Sequence, residues 1–302
     1  MLEAVPTIDL SETILPALRS REFAPPLPPV VPNDVIRRDH IVPGPEHAPD
    51  IGLVTYTPQG AGPFSCIYHI HGGGYVSGSA GILEWLHRPL AEQLGCVIVS
   101  VDYRLAPETA FPGNLEDCYA GLAWTYAHAA GLNVDPGRIG VMGESAGGGL
   151  AAALALMARD RGEYPLAFQV LTYPMLDDRT CIREPHPWAG EFLWTPHNNR
   201  FGWSALLGHA PGAPDVSPYA APARTTDLAG LPPTFMMTGA LDLFVDENAA
   251  FAQSLIRAGV PTEFHIYPGA FHAFDAWPTA SVSCQARDDR IRALEAFSAR
   301  RP

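Results

Sequence analysis

Residues 138–149 read RIGVMGESAGGG, and this stretch decides the fold. An apolar run ending at Met142 leads to Ser145, which has Gly143 and Gly147 two residues away on either side, and an Ala- and Leu-rich run follows. A strand, a sharp turn and a helix in this order form the G-x-S-x-G nucleophile elbow. Side chains at the two glycine positions would collide with the neighbouring strand or helix. The pattern predicts that Ser145 is a nucleophile at the amino end of a helix, where backbone dipoles favour negative charge.

Short apolar runs alternate with helical patterns on both sides of this stretch. Seven runs are predicted to be strands: 53–56, 64–70, 96–101, 138–142, 168–172, 234–238 and 262–267. Five patterns are predicted to be helices: 81–94, 115–130, 146–161, 246–258 and 283–300. Strands that alternate with crossover helices are typical of a parallel sheet. The sequence therefore predicts an α/β protein with a doubly wound, mostly parallel sheet and helices on both faces.

Two segments interrupt this alternation. Residues 1–45 contain a short amphipathic stretch and then the run Pro25-Pro26-Leu27-Pro28-Pro29, which prevents a continuous helix. Residues 183–218 lack the strand rhythm and are rich in Trp and Phe. We expect an N-terminal cap segment and linker over 1–45 and a catalytic domain over 46–302, with a cap insertion at about 183–218. Ordinary packing of a helical excursion explains the aromatic residues equally well.

A glycine-rich loop follows the second predicted strand, with the sequence His71-Gly72-Gly73-Gly74-Tyr75. Three glycines leave backbone amides free to face a ligand, and this is the HGGG type of oxyanion loop. A phosphate-binding loop is disfavoured, because neither the G-x-G-x-x-G spacing nor a following lysine is present. The expected oxyanion donors are the amides of Gly73, Gly74 and Ala146. His71 and Gly72 are expected to support the loop, as Gly143 and Gly147 support the elbow.

The acid and the base of a catalytic triad should follow the serine in that order, each in a loop after a later strand. Asp242 follows the predicted strand 234–238, and His272 follows the predicted strand 262–267. Neighbouring parallel strands would bring both loops to one edge of the sheet. Asp246 is the alternative acid, but it is expected to cap the next helix. Four later histidines are expected to be solvated or packed: His186, His197, His209 and His265.

Composition and charge exclude several classes of function. The chain has 302 residues, 47% of them hydrophobic, and a net charge of −13, so nucleic acid and anionic membranes are disfavoured partners. No apolar run approaches the roughly 20 residues of a membrane span, and no secretory signal is visible, so a cytoplasmic protein is expected. The five cysteines form no metal-binding or redox motif and are expected to be small buried hydrophobic residues, with Cys181 and Cys284 the more exposed among them.

The chain resembles the hormone-sensitive-lipase family of α/β-hydrolase esterases over about residues 40–300. The resemblance is carried by 71–74, 143–147 and 269–274 together with DYRLAPE at 102–108 and DLFVDE at 242–247. It implies a triad of Ser145, Asp242 and His272, the oxyanion amides named above, a helical cap and no cofactor. The family usually has proline directly after the acid, where this chain has Leu243. Glu144 is expected to have a structural role, hydrogen-bonded beneath the elbow.

These features predict a serine hydrolase that cleaves short-chain carboxylic esters through an acyl-enzyme intermediate, without a metal. The expected partner is a small-molecule ester, and the sequence leaves a homodimer open. Amide, carbamate and lactone substrates remain alternatives, since the same triad serves them. A second alternative is a non-catalytic ligand-binding protein of the hydrolase fold, because function depends on the site and not on the fold.

Overall fold

The computed structural model describes residues 8–22 and 27–299, so Pro25, Pro26 and Arg300 of the predicted segments lie outside the described residues. Eight strands form one sheet within these ranges. They are β1 Ile36–Val42, β2 Ile51–Thr57, β3 Phe64–Ile70, β4 Cys96–Asp102, β5 Val134–Glu144, β6 Gln169–Thr172, β7 Thr234–Gly239 and β8 Thr262–Tyr267.

The strand order is β1-β2-β4-β3-β5-β6-β7-β8. Strands β1, β2 and β4 pair antiparallel, and every pair from β4 to β8 is parallel. The central strands read as nearly continuous apolar runs because a parallel sheet is covered on both faces. The predicted doubly wound, mostly parallel α/β fold is confirmed.

The sheet separates two hydrophobic layers. Seven α-helices lie among the described residues: α1 Leu15–Arg19, α2 Glu84–Leu94, α3 Gly113–Ala127, α4 Ala146–Arg161, α5 Pro196–Leu207, α6 Val245–Arg257 and α7 Ser281–Ala299. On β4, Val97 and Val99 belong to the layer with α3, α4 and α6, whereas Ile98 belongs to the layer with α2 and α7. Successive strand residues face opposite sides, so helices are required on both faces.

Strand β1 lies within residues 1–45 and was not predicted. It reads Ile-Arg-Arg-Asp-His-Ile-Val, in which polar side chains predominate, and Ile41 is 77% exposed. As the edge strand of the sheet it buries little, so its pattern carries no strong strand signal. Tertiary pairing with β2 makes it a strand.

The N-terminal segment is tied to the aromatic-rich region 183–218. This region contains α5, which begins after the N-cap Thr195, whose side chain accepts a hydrogen bond from the Asn198 amide. Asn198 in turn accepts a hydrogen bond from the Leu10 amide at 2.8 Å and donates one to the Ile8 carbonyl, also at 2.8 Å. The two segments that interrupt the strand rhythm are therefore joined to each other.

Four of the five cysteines are buried as expected, but Cys181 is one of them and is not among the more exposed. Its side chain is buried, and Asn199 of α5 donates a hydrogen bond to its sulfur at 3.2 Å. The sequence does not reveal this contact because the two residues belong to different elements. Cys284 is partly exposed, as expected. Among the described helices, none combines the length and the apolar character that crossing a membrane requires.

Two adjacent residues of α6 provide a test of the packing. Leu255 is fully buried, whereas its neighbour Ile256 is 57% exposed. We expect Leu255→Ala to lower the free energy of unfolding by about 2–5 kcal/mol through lost burial and a residual cavity. Ile256→Ala should change it by no more than about 0.5 kcal/mol. Denaturant unfolding of both variants measures the difference, and equal losses would contradict this packing.

Candidate active site

The turn between β5 and α4 presents Ser145. This serine has φ 57° and ψ −122°, a strained conformation for a residue with a side chain. A Cβ at Gly147 would lie 2.1 Å from the Ile70 carbonyl oxygen, and one at Gly143 would lie 2.2 Å from the Gly147 carbonyl oxygen. Real Cβ contacts are never this short, so the turn requires glycine at both positions.

The structure brings Ser145, His272 and Asp242 into one hydrogen-bonded chain. The Ser145 Oγ lies 2.8 Å from His272 Nε2, and His272 Nδ1 lies 2.9 Å from Asp242 Oδ2. Asp242 follows β7 and His272 follows β8, and these strands are parallel neighbours. Their carboxyl ends meet at one edge of the sheet beside the elbow, and this brings together residues that lie 127 and 30 positions apart in the chain.

The direction of these hydrogen bonds follows from the acceptor. An ionised carboxylate only accepts, so His272 donates from Nδ1 and its Nε2 accepts from the Ser145 hydroxyl. The remaining Asp242 oxygen, Oδ1, accepts from the Phe244 amide at 2.9 Å. All three side chains are buried, and Asp242 is completely so. The carboxylate end of the triad is therefore shielded from water and held in one orientation.

The glycine-rich loop faces the same space. Gly73 and Gly74 line the cavity that contains Ser145 and His272. Within residues 8–22 and 27–299 the amides of Gly73, Gly74 and Ala146 have no hydrogen-bond acceptor. Ala146 is the first residue of α4, where helix geometry leaves the amide without an intrahelical partner. Three donors are thus available near Ser145.

His71 holds the loop by side-chain contacts. Its Nδ1 donates to the Gly72 carbonyl at 2.8 Å, and its ring stacks on Tyr103 at 4.3 Å between centroids. The Tyr103 hydroxyl donates to the His71 carbonyl at 2.9 Å. Burial lowers the pKa of His71 to about 4, so the ring is neutral at physiological pH. A neutral donor in this position suits loop support.

Glu144 is anchored beneath the elbow to side chains that the sequence analysis missed. Its Oε2 lies 2.9 Å from His69 Nε2, and His69 Nδ1 lies 2.9 Å from the Ser100 hydroxyl. Burial alone would raise the pKa of Glu144, but the charge and hydrogen bond of His69 outweigh it, and the pKa is lowered. His69 lies in β3 and Ser100 in β4, and both side chains are buried. A polar residue within a mostly apolar strand was the sequence signal that could have indicated this network.

The His272 ring is surrounded by further side chains that the sequence analysis did not identify as functional. Tyr173 packs edge-on against it at 4.8 Å between ring centroids, and Phe244 does so at 5.2 Å. The Tyr173 hydroxyl donates to Asp275 at 2.6 Å, and Asp275 also accepts from Arg290 at 3.2 Å. Burial raises the pKa of Tyr173 well above its ordinary value, so the phenol remains a donor. This network restricts the orientation of the imidazole. Tyr173, Asp275 and Arg290 belong to none of the motifs from which the site was predicted.

Two details of the acid-bearing loop differ from expectation. The expected cap at Asp246 is not present, because Phe244 is the N-cap of α6 and no side chain caps it. Leu243 occupies the position where the family usually has proline, and it is buried. A Cβ at Gly190 would lie 2.7 Å from the Leu243 side chain, and the Gly190 amide donates to the Leu241 carbonyl at 3.0 Å. The loop therefore packs against region 183–218.

Ser145 and His272 line a cavity of about 560 Å³, within the usual range for small-molecule sites. Apolar side chains from both interrupting segments form part of its wall: Ile8, Leu10, Leu18, Leu193 and Trp194. Ile82, Leu83, Trp85 and Leu86 add another apolar part. In the described part of the chain, no three His, Cys, Asp or Glu side chains cluster as a metal ion would require.

The sheet order and the strained turn between β5 and α4 define an α/β-hydrolase fold. Residues 67–276 match the model of a family described as alpha/beta hydrolase fold. The chain is similar to esterase LipI of Mycobacterium tuberculosis, with 34% identity over 91% of this chain and 85% of the relative. It is 37% identical to carboxylesterase NlhH of the same organism over 69% of this chain, and the match spans only 66% of that relative.

Among solved structures, a bacterial heroin esterase superposes with a TM-score of 0.91 and 38% identity, and the match covers 99% of this chain and 96% of that structure. The chain belongs to the alpha/beta hydrolase family. The resemblance to hormone-sensitive-lipase-type esterases that the sequence motifs carry is confirmed by these matches.

The glycine requirement of the elbow is testable. We expect Gly147→Ala to abolish labelling of Ser145 by a fluorophosphonate and to lower the free energy of unfolding, because the new methyl group meets backbone oxygens that cannot move independently. Gly131→Ala is the matched control, since its nearest contact would be an ordinary 3.5 Å. Normal labelling of Gly147→Ala would refute the close approach.

A buried carboxyl on α6, beside the acid-bearing loop, provides a pH test. Glu247 accepts hydrogen bonds from the Leu176 amide at 2.7 Å and from the Thr180 hydroxyl. Burial raises its pKa to about 8, and these hydrogen bonds only partly oppose the shift. Between about pH 5 and pH 8 the folded protein therefore binds a proton that the unfolded chain does not. Stability contributed by this group is present at low pH and is lost as the pH rises through this window.

We expect the free energy of unfolding of Glu247→Gln to lack this dependence on pH. Relative to the variant, the native protein should lose up to about 1.4 kcal/mol per pH unit between pH 5 and 8. Denaturant unfolding at four pH values measures the two curves. Asp246→Asn is the control, because it removes an exposed neighbouring carboxylate. Its free energy of unfolding should depend on pH in the same way as that of the native protein. Parallel curves for Glu247→Gln as well would contradict the proton assignment.

Proposed function

We propose that this member of the alpha/beta hydrolase family is a carboxylic ester hydrolase that acts through a Ser145 acyl-enzyme. The observation that carries the proposal is the hydrogen-bonded chain from Ser145 through His272 to Asp242, next to three amides without acceptors. Its similarity to a carboxylesterase and an esterase supports the same activity.

In the first half of the reaction, Ser145 Oγ attacks the ester carbonyl carbon while His272 Nε2 takes the hydroxyl proton. Asp242 keeps the imidazole in the tautomer that accepts this proton, and it stabilises the imidazolium. The carbonyl oxygen becomes negatively charged, and the amides of Gly73, Gly74 and Ala146 donate to it. Such donors are commonly worth about 3 kcal/mol each. His272 then protonates the departing alcohol, which leaves an ester on Ser145.

The second half repeats the geometry with water. His272 Nε2 takes a proton from a water molecule that attacks the acyl carbon, and the same amides hold the second tetrahedral oxyanion. Return of the proton to Ser145 Oγ releases the carboxylic acid. The packing of Tyr173 and Phe244 around the imidazole keeps one ring orientation through both halves. No step in this sequence requires a cofactor.

The substrate we propose is a short-chain ester bound beneath a cap. Region 183–218 and the N-terminal segment contribute apolar side chains to the cavity, and they are joined through Asn198. A cavity of about 560 Å³ with these apolar walls fits a small ester. We therefore assign the cap role to these two segments and the catalytic role to the remainder of the chain.

Two alternative hypotheses about the function involve the same site residues. An amide, carbamate or lactone hydrolase would need the same triad, with better proton delivery to a poorer leaving group. A non-catalytic binding protein is the reading least compatible with the 2.8 Å contact between Ser145 Oγ and His272 Nε2, because a receptor has no use for an activated hydroxyl.

A panel of p-nitrophenyl acetate and butyrate, the matching anilides and a lactone tests the proposal. The native protein should hydrolyse the short esters fastest. Ser145→Ala should lower kcat by at least about a thousandfold, and Asp242→Asn by about ten-thousandfold, because the wrong imidazole tautomer prevails. Ser254→Ala, an exposed serine of α6, is the matched control and should be unaffected. Persistent turnover in Ser145→Ala would move the nucleophile elsewhere, and faster anilide cleavage would change the substrate class.

A further inference from the structure

Six residues with charged side chains line the cavity, more than an uncharged ester requires. They are Arg19, Arg21, Arg287, Arg290, Glu144 and Asp275. The chain as a whole has a net charge of −13, yet four of the side chains in this wall are cationic. A cleft whose wall has an excess of one sign of charge attracts ligands of the other sign. The protein therefore concentrates positive charge at the place where its substrate binds.

The hydrogen bonds and ion pairs of these residues show which of the positive charges are already paired with a carboxylate. Arg19 is paired with Glu108 at 2.7 Å, and Glu144 is bonded to His69. Asp275 is engaged by the Tyr173 hydroxyl and by Arg290. Within the described residues Arg287 has no hydrogen bond and no ion pair, and it is half-buried. Its charge is thus the one that the local structure leaves uncompensated.

Arg290 adds an independent observation. It lies one turn beyond Arg287 on α7, and residues three apart share a helix face. Arg290 is only 3% exposed, and it donates to Asp275 through Nη1. Its Nε is buried and has no partner among the described residues. This nitrogen has no surface open to the cavity, so Arg290 contributes to the wall the positive charge of its guanidinium, which Asp275 partly offsets.

We propose that the substrate is an ester that carries a carboxylate, such as the monoester of a short dicarboxylic acid, and that Arg287 binds this carboxylate. Arg290, on the same helix face and in the same cavity wall, adds positive charge beside this subsite. A guanidinium offers two parallel donors that match the two oxygens of a carboxylate. The inference rests on the proposed ester hydrolysis and adds the substrate class, since Arg287 takes no part in the triad.

The test compares mono-p-nitrophenyl glutarate with its methyl ester, in which the free carboxylate is masked and the chain length is kept. Release of p-nitrophenolate reports both reactions. The native protein should have a higher kcat/KM for the free carboxylate, and this preference should weaken with added salt because Arg287 is partly solvated. In Arg287→Gln the ratio of the two kcat/KM values should fall about tenfold to a hundredfold, and Arg287→Lys should restore part of it.

Arg292→Gln is the matched control. Arg292 lies on the same helix, pairs with Glu263 and does not line the cavity, so the ratio should stay as in the native protein. An equal ratio in native protein and Arg287→Gln, or a native preference for the masked ester, would overturn the inference while ester hydrolysis stands.

A binding measurement separates the inference from catalysis. In Ser145→Ala, glutarate should raise the Tm, and the double variant with Arg287→Gln should lose this increase. If the native protein hydrolyses neither ester but glutarate still raises the Tm through Arg287, the proposed function fails and the carboxylate subsite remains. If glutarate has no effect, the subsite is refuted.

Discussion

The site depends on the close approach of three backbone segments: the end of β3, the turn after β5 and the first turn of α4. A Cβ at Gly147 would lie 2.1 Å from the Ile70 carbonyl oxygen and 2.4 Å from that of His71. Because these atoms belong to the strand and loop that carry the free amides, the contact fixes the distance between those amides and Ser145. The strained φ of Ser145 persists since the surrounding segments leave it no alternative.

The polar groups around this turn form a series of contacts in which each group orients the next. Asp242 is completely buried, and the Phe244 amide at the start of α6 holds its second oxygen. The first oxygen holds His272, whose ring is confined by Tyr173. Buried networks of this kind are costly when a member is missing and rigid when complete. This rigidity is what preorganised catalysis requires.

Much of the site could be predicted because its chemistry depends on local sequence. The glycines around Ser145 and the loop at His71 are steric requirements of single turns, and Asp242 and His272 are located by the rule that triad residues follow strand ends. The supporting residues could not be found in this way. Tyr173, Asp275 and Arg290 meet across three elements, and Cys181 is covered by α5, so no spacing along the chain indicates either contact. Strand β1 was missed because an exposed edge buries too few side chains to impose a pattern.

The amino-acid sequence by itself determined the fold class, the nucleophile turn and the glycine-rich loop, because each depends on hydrophobic periodicity or on backbone sterics within a few residues. Only the tertiary structure decided which side chains surround the imidazole and where positive charge remains uncompensated. Arg287 looks like any other helix-surface arginine until α7 is packed against the sheet. Its environment is set by residues that share the cavity wall, such as Trp85, about 200 positions earlier in the chain. Long-range burial and pairing are properties of the folded chain alone.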